Sequence, residues 1–311
     1  MQQQLERIAD LQRHEIPVFT VNEYRPLLDS SNMTPAHWLR IARDIAENYA
    51  DYDGFIVLHG TDTMAYTASA LSFMLAGLSK PVVLTGSQIP LCEIRNDARE
   101  NLISSLLIAG NYPIPEVCLY FGNKLLRGNR SVKVDADALN AFDSPNFPPL
   151  GEAGVNIEIN WNLVYRPAAR PGPPLEVLEL EDPSVVGALR LFPGISARML
   201  RNILKPPLQG LVLEAFGVGN GPEEDREFLQ ALQEATERGV VIVDCTQCLR
   251  GTVQLEDYAS GRELALAGVV SGFDMTAEAA LTKLFWLLDG KRRPQEVRAL
   301  MQSNLRGEMT V

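Results

Sequence analysis

The chain has 311 residues, 46% hydrophobic and 22% charged, with 23 glycines and 20 prolines. That balance excludes a disordered or collagen-like chain, and the length suits two domains whose cores need no disulfide. Lys plus Arg is 28 against 39 for Asp plus Glu, and the resulting charge of -11, with no basic run, argues against a nucleic-acid partner.

In chain order, Val18-Phe19-Thr20-Val21 predicts a first strand. Thr34 and Pro35 predict a helix start, with Thr34 as N-cap and proline at the first helical position. Trp38, Ile41, Ala42, Ile45 and Tyr49 then recur at helical spacing and mark one apolar face. Residues 54–58 form a short apolar run, which predicts a strand buried on both faces of a parallel sheet. The polar turn His59-Gly60-Thr61-Asp62-Thr63 leads into a helical stretch over 64–78. Residues 81–84 repeat the strand, with Thr85-Gly86-Ser87-Gln88 as its polar exit, before a helix over 97–108 and a strand over 117–121. This alternation predicts the α/β class, with a larger N-terminal domain, 1–166, built on a largely parallel sheet flanked by helices.

Between 167 and 183 the composition shifts to Pro167, Pro171, Pro173, Pro174 and Pro183, which predicts a connection between domains. Over 184–311 the alternation resumes, with strands at 185–191, 210–214 and 240–244 and helices at 197–204, 224–238 and 276–288. A smaller C-terminal α/β domain is expected. No apolar run approaches the ~20 residues of a membrane span, and the polar start lacks the apolar centre of a signal peptide. Of the cysteines, Cys92, Cys118, Cys245 and Cys248, only the last two have CxxC spacing. The histidines His14, His37 and His59 lie far from them, so the pair reads as two small residues at a strand end in a reducing compartment.

Ligands of parallel sheets gather at the carboxyl ends of strands. Three polar groups fall there: Asp29-Ser30-Ser31-Asn32, His59-Gly60-Thr61-Asp62-Thr63 and Thr85-Gly86-Ser87-Gln88. Their glycines allow close backbone approach, and their hydroxyls and N–H groups can hold a carboxylate, though each turn alone also suits ordinary capping. Over 131–137 polar and apolar residues alternate; if extended, Ser131, Lys133, Asp135 and Asp137 share one face, either as a solvated edge or around a basic lysine. No P-loop, Gly-x-Ser-x-Gly elbow or GxGxxG motif is present.

Taken together, these segments resemble the bacterial-type L-asparaginases. Leu58-His59-Gly60-Thr61-Asp62-Thr63-Met64 is similar to that family's HGTDTM signature. Asp29 to Pro35, Thr85 to Pro90, Arg127 to Lys133, Gly217-Val218-Gly219-Asn220 and Asp274 to Glu278 are similar to its other loops, and favour the cytoplasmic type I branch. The resemblance implies hydrolysis of L-asparagine to L-aspartate and ammonia through a threonine acyl-enzyme, with no metal or organic cofactor. It implies a catalytic set of Thr61, Asp62 and Lys133, and substrate contacts from Asp29, Ser30, Ser31, Gly60 and Ser87. Asn220 would come from the partner in a homodimer or dimer of dimers. L-Glutamine would be a weak second substrate, with no nucleic-acid or membrane partner, in the cytoplasm.

One departure matters. The family opens with a TGGTIG-like turn whose threonine forms the acyl-enzyme, and no TGG precedes Val18. About 30 residues, one strand and a long loop, would hold it. The alternative expectation is a non-catalytic amino-acid-binding or regulatory dimer on this scaffold. The 311-residue chain should therefore release little ammonia from asparagine, and gain activity when a TGGTIG-like segment is placed upstream. Ordinary turnover by the 311-residue chain would place the nucleophile elsewhere.

Overall fold

The computed structural model describes residues 5, 8–165, 175–178, 185–255, 259–289 and 292–310. Two compact units make up the chain: 1–144 with 148–177, and 145–147 with 178–311.

The first unit runs through α1 (Pro35–Glu47), β1 (Phe55–Leu58), α2 (Met64–Met74), β2 (Leu75–Ala76), β3 (Val82–Thr85) and α3 (Ala98–Asn111). Then come β4 (Val117–Phe121), β5 (Lys124–Arg127), β6 (Val132–Lys133), β7 (Phe142–Asp143), β8 (Gly151–Ala153), β9 (Ile157–Ile159) and β10 (Glu176–Val177). Its main sheet has the order β1-β3-β4-β5-β8-β9. The pairs β1–β3 and β3–β4 are parallel, and β5, β8 and β9 extend the sheet antiparallel, an extension that the sequence patterning does not announce.

Helix α1 starts as expected, with the Thr34 N–H donating to His37 Nδ1 at 3.0 Å. It buries Trp38, Ile41, Ala42 and Ile45, each large side chain adding about 1.5–3 kcal/mol of hydrophobic stabilisation. Helix α2 is buried on every side, and small residues let its neighbours approach. Gly128 is one such close approach: a Cβ there would lie 3.1 Å from the Ala68 carbonyl and 2.9 Å from that of Val117. The helix leaving the Thr61 turn is thus held rigidly in the core.

Four expectations are corrected in this unit. Val18 to Val21 forms no strand, because it has no ladder partner among the described residues; Phe19 and Val21 pack beside Leu102 and Leu106 of α3 while Val18 is exposed. Strand β1 is half-buried rather than covered on both faces, and Leu58 is 42% exposed, since β1 is the edge strand among the described residues. The helix over 64–78 stops at Met74: Leu75–Ala76 pairs with β10, and Gly77 follows at φ 78°. Over 131–137 only Val132–Lys133 pairs, with β7. The Asp135 carboxylate accepts the N–H groups of Asp137 and Ala138 and closes a turn, while the buried Ser131 donates to the Gly128 carbonyl. The four polar residues therefore share no face. Of 167–183, residues 175–178 are described, and they include β10; the rest lies outside the described residues.

The second unit comprises β11 (Val186–Arg190), α4 (Ala197–Ile203), β12 (Gly210–Ala215), α5 (Arg226–Glu237), β13 (Val241–Thr246), α6 (Ala259–Leu266), β14 (Val270–Ser271), α7 (Ala277–Asp289) and α8 (Pro294–Met301). Strands β11-β12-β13-β14 form a parallel sheet. Leu211 and Leu213 join one core with Phe228 and Leu232, and Val212 joins the other with Leu284 and Met301, as period-two alternation requires of a sheet covered on both faces. Lys283 and Glu308, both 0% exposed, pair at 2.6 Å. Lys283 also donates to the carbonyls of Met301 and Ser303, and Glu308 accepts the N–H groups of Leu305 and Arg306, so the pair fastens the C-terminal turn to α7. Cys245 is buried on β13 with its thiol pushed up by burial, whereas Cys248 is exposed beyond it.

Asp244 on β13 has both carboxyl oxygens buried without a hydrogen bond among the described residues. Burial pushes its pKa up to about 8. The folded chain therefore keeps a proton between pH 4 and 8 that the unfolded chain releases. This group's stabilising share is full below about pH 4 and lost as pH rises toward about 8. Asp244→Asn is expected to raise the melting temperature at pH 7 to 8 relative to the parent, with the gain shrinking toward pH 4. Thermal unfolding across that range checks this, and a pH-independent difference would contradict it.

Candidate active site

The residues singled out in the first unit meet at one place because three polar segments, 59–63, 85–88 and 131–137, are tied in a closed ring and a fourth, 29–32, is fastened to the first of them. Gly60 packs against Ser30, where a Cβ would lie 2.5 Å from Ser30 Oγ, and the Thr63 hydroxyl donates to the Ser30 carbonyl at 2.6 Å. Gly86 packs against the His59 carbonyl, where a Cβ would come within 2.2 Å. Gln88 Nε2 donates to the Ala136 carbonyl at 2.9 Å, joining the exit of β3 to the segment after β6. Lys133 closes the ring: its Nζ donates to Thr61 Oγ1 at 2.8 Å and to Asp62 Oδ1 at 2.9 Å.

Each segment also has its own restraint. Asp29 caps a short 3-10 turn, Ser30–Asn32, by accepting both the N–H and the hydroxyl of Ser31 at 2.8 Å. Those two bonds hold its carboxyl below the usual carboxylate range, so it stays charged at the surface. Ser30 is buried and turned toward Gly60, whereas Asp29 and Ser31 are open to solvent. The exit of β3 is gripped by α3: Asp97 accepts the N–H groups of Gln88 and Ile89, and Asn101 donates to the Gly86 carbonyl. Ser87 lies half-buried between those anchors.

Thr61 and Asp62 sit in the turn just before α2, whose first N–H groups favour negative charge at that end. Lys133 is largely covered, at 21% side-chain exposure, and Asp62 is open at 64%. An ammonium held between a hydroxyl and a carboxylate has one arrangement with chemical value: after losing a proton, the amine faces the threonine hydroxyl and can take its proton. The arrangement has the geometry that a proton relay needs, beside a surface-open carboxylate.

Asn220 belongs to the second unit, where the Asn220 N–H donates to the Phe216 carbonyl at 2.7 Å and the Phe216 N–H to the Asn220 carbonyl at 3.0 Å. The supporting residues Thr63, Asp97 and Asn101 were missed by sequence reasoning. A capping signal existed for Asp97, which precedes α3, but nothing local indicates that its carboxylate reaches back to the previous strand's exit. Among the described residues there is no group of three or more His, Cys, Asp or Glu able to hold a metal, and no helix long and apolar enough to cross a membrane.

In sequence and fold the chain also resembles known proteins. Residues 1–165 match the family described as Asparaginase, N-terminal, and 185–301 match the Glutaminase/Asparaginase C-terminal domain. The chain is 51% identical over 310 residues to L-asparaginase 1 of Escherichia coli, covering 100% of this chain and 90% of that protein. It is 52% identical over 295 residues to the 60 kDa lysophospholipase of Mus musculus, covering 94% of this chain and 51% of that one. The crystal structure of L-asparaginase I from Vibrio cholerae superposes with a TM-score of 0.92 at 52% identity, covering 100% of this chain and 92% of that one. With both family domains matched in order, and with likeness of this extent in sequence and fold, the chain belongs to the asparaginase family.

Proposed function

We propose that this protein hydrolyses the side-chain amide of L-asparagine to L-aspartate and ammonia, with L-glutamine as a weaker substrate. The observation that carries this is Lys133 Nζ bridging Thr61 Oγ1 and Asp62 Oδ1 within a cluster of loops that offer hydroxyls and exposed carboxylates. The relatives named L-asparaginase support the same chemistry.

The substrate is a zwitterion, and the exposed carboxylates of Asp29 and Asp62 suit its ammonium, while the exposed Ser31 hydroxyl, which donates to Asp29 here, would turn to its carboxylate. Gly60 lets the Ser30 turn lie close against the Thr61 turn, so that a bound amino acid can meet both, and Ser87 would face its amide end. In the acylation step a threonine hydroxyl adds to the amide carbon, the C–N bond breaks, and nitrogen leaves as ammonia after gaining a proton. Water then attacks the ester, releasing aspartate and restoring the hydroxyl. Thr61 serves as proton relay rather than as the acyl-forming hydroxyl: it passes a proton to or from Lys133, while Asp62 holds the ammonium. Asn220 completes the site from a partner subunit, in a dimer or dimer of dimers. The cytoplasm is the expected setting, on the likeness to type I enzymes.

In a chain carrying the upstream TGGTIG-like turn, Thr61→Val and Lys133→Met are each expected to lower kcat by about 10²- to 10⁴-fold, the usual scale of general acid–base catalysis. Circular dichroism and size exclusion should be unchanged. Asp29→Asn should raise KM with kcat little altered, because it removes ground-state binding. Ammonia release measures all three, and full activity of Thr61→Val or Lys133→Met would overturn their assignment.

A further inference from the structure

One chain of hydrogen bonds runs from the His59–Gly60 turn back into the helices and has been given no role so far. Trp38 Nε1 donates to Thr67 Oγ1 at 3.1 Å, Thr67 Oγ1 lies 2.9 Å from His59 Nε2, and His59 Nδ1 lies 2.7 Å from the Gly60 carbonyl. The polarity of this chain is fixed by its ends. A carbonyl oxygen only accepts, so Nδ1 carries the ring proton. An indole N–H only donates, so Thr67 receives there and spends its own proton on Nε2. Burial holds the imidazole pKa below the ordinary histidine range, which keeps the ring neutral with a lone pair at Nε2. Charging the ring would aim a second donor at Thr67, whose hydroxyl proton would then need another acceptor.

The bond to Gly60 matters because of where Gly60 sits. Its contact with Ser30 leaves no room for a Cβ, so the position demands glycine, and glycine leaves the following peptide free to turn. In a trans peptide the Gly60 C=O and the Thr61 N–H point in opposite directions. Holding the carbonyl on the imidazole therefore turns the Thr61 N–H away from His59, and that N–H makes no hydrogen bond among the described residues. His59 is itself anchored: its N–H donates to the Thr85 carbonyl at 2.9 Å, and its carbonyl rests on Gly86. The fully buried Thr67 stands on rigid α2, and the buried Trp38 on α1.

We propose that His59 is a positioning residue, the last member of a Trp38–Thr67–His59 hydrogen-bond chain that fixes the Gly60–Thr61 peptide and so presents Thr61 to Lys133. Its kinetic consequence rests on the amidohydrolase assignment; the geometry does not. Two arms separate them. In the first, ¹⁵N-resolved spectra of the imidazole at pH 7 should show a neutral ring protonated at Nδ1. A ring protonated at Nε2, or charged, overturns the chain whatever the activity.

In the second arm, His59→Asn keeps a donor near the Nδ1 position, whereas His59→Leu keeps bulk without one. Crystal structures of both should show the Thr61 Oγ1 to Lys133 Nζ separation kept in His59→Asn and opened beyond about 3.5 Å in His59→Leu. In chain with the upstream turn, His59→Leu should lower kcat by about 10- to 100-fold, the cost of misplacing a reacting group, with KM within about threefold. His59→Asn should restore most of that loss. Thr67→Val, which keeps the side-chain shape but not the hydroxyl, should fall between the two. An unmoved peptide in His59→Leu, or equal damage from Asn and Leu, would overturn the positioning role. If asparagine is not hydrolysed at all while tautomer and peptide behave as stated, the functional assignment fails and the positioning role stands.

Discussion

The ammonium of Lys133 lies between a hydroxyl and a carboxylate that come 72 and 71 positions earlier in the chain, and most of the first unit is arranged to keep it there. A lysine side chain ends in a compact charge on a flexible stem, so two fixed acceptors are needed to define its place. Thr61 and Asp62 provide them from the turn ahead of a helix with no solvent-facing side. Lys133 arrives on a two-residue strand that is stopped at once by the Asp135 turn. Buried helix on one side and short hairpin on the other allow little play.

Close packing of glycine on polar backbone does the rest. Gly60 against Ser30 and Gly86 against His59 bring three loops nearer than any residue with a Cβ would permit. Such contacts leave buried polar groups that must be satisfied, and each one finds a partner from outside its own loop: Thr63 for the Ser30 carbonyl, Asn101 for that of Gly86, Asp97 for two N–H groups beyond it. The same rule explains His59, whose two ring nitrogens are both engaged. A loop cluster built in this way is rigid without being regular.

Polar groups in the second unit obey the rule less evenly. Lys283 and Glu308 are fully buried, but every charge is met by its opposite or by backbone, which is what makes a buried pair tolerable. Asp244 lies between the sheet and the Gly219 turn without such partners and keeps its proton instead. Burial alone separates these two outcomes poorly; the number of donors within reach decides.

What the sequence determined by itself is local and periodic. The helix from Pro35 follows from Thr34, proline and an apolar stripe of which it buries Trp38, Ile41, Ala42 and Ile45, Tyr49 falling beyond its end, and β3, β4, β12 and β13 follow from short apolar runs. Their alternation is sufficient for a parallel α/β class, and the ordered loop motifs carry the family. Tertiary structure alone decided what depends on a partner. Val18 to Val21 has the composition of a strand and forms none, because a strand exists only through ladder bonds to a neighbour. The antiparallel strands β5, β8 and β9 are three or four residues long, too short for a period to be read. Residues 131–137 alternate perfectly yet turn at Asp135, since a carboxylate that can reach two N–H groups outcompetes the pleat. His59 could be seen as part of a motif, but its role lay in Thr67 and Trp38, 8 and 21 positions away, which only the packing of α1 and α2 brings to its ring.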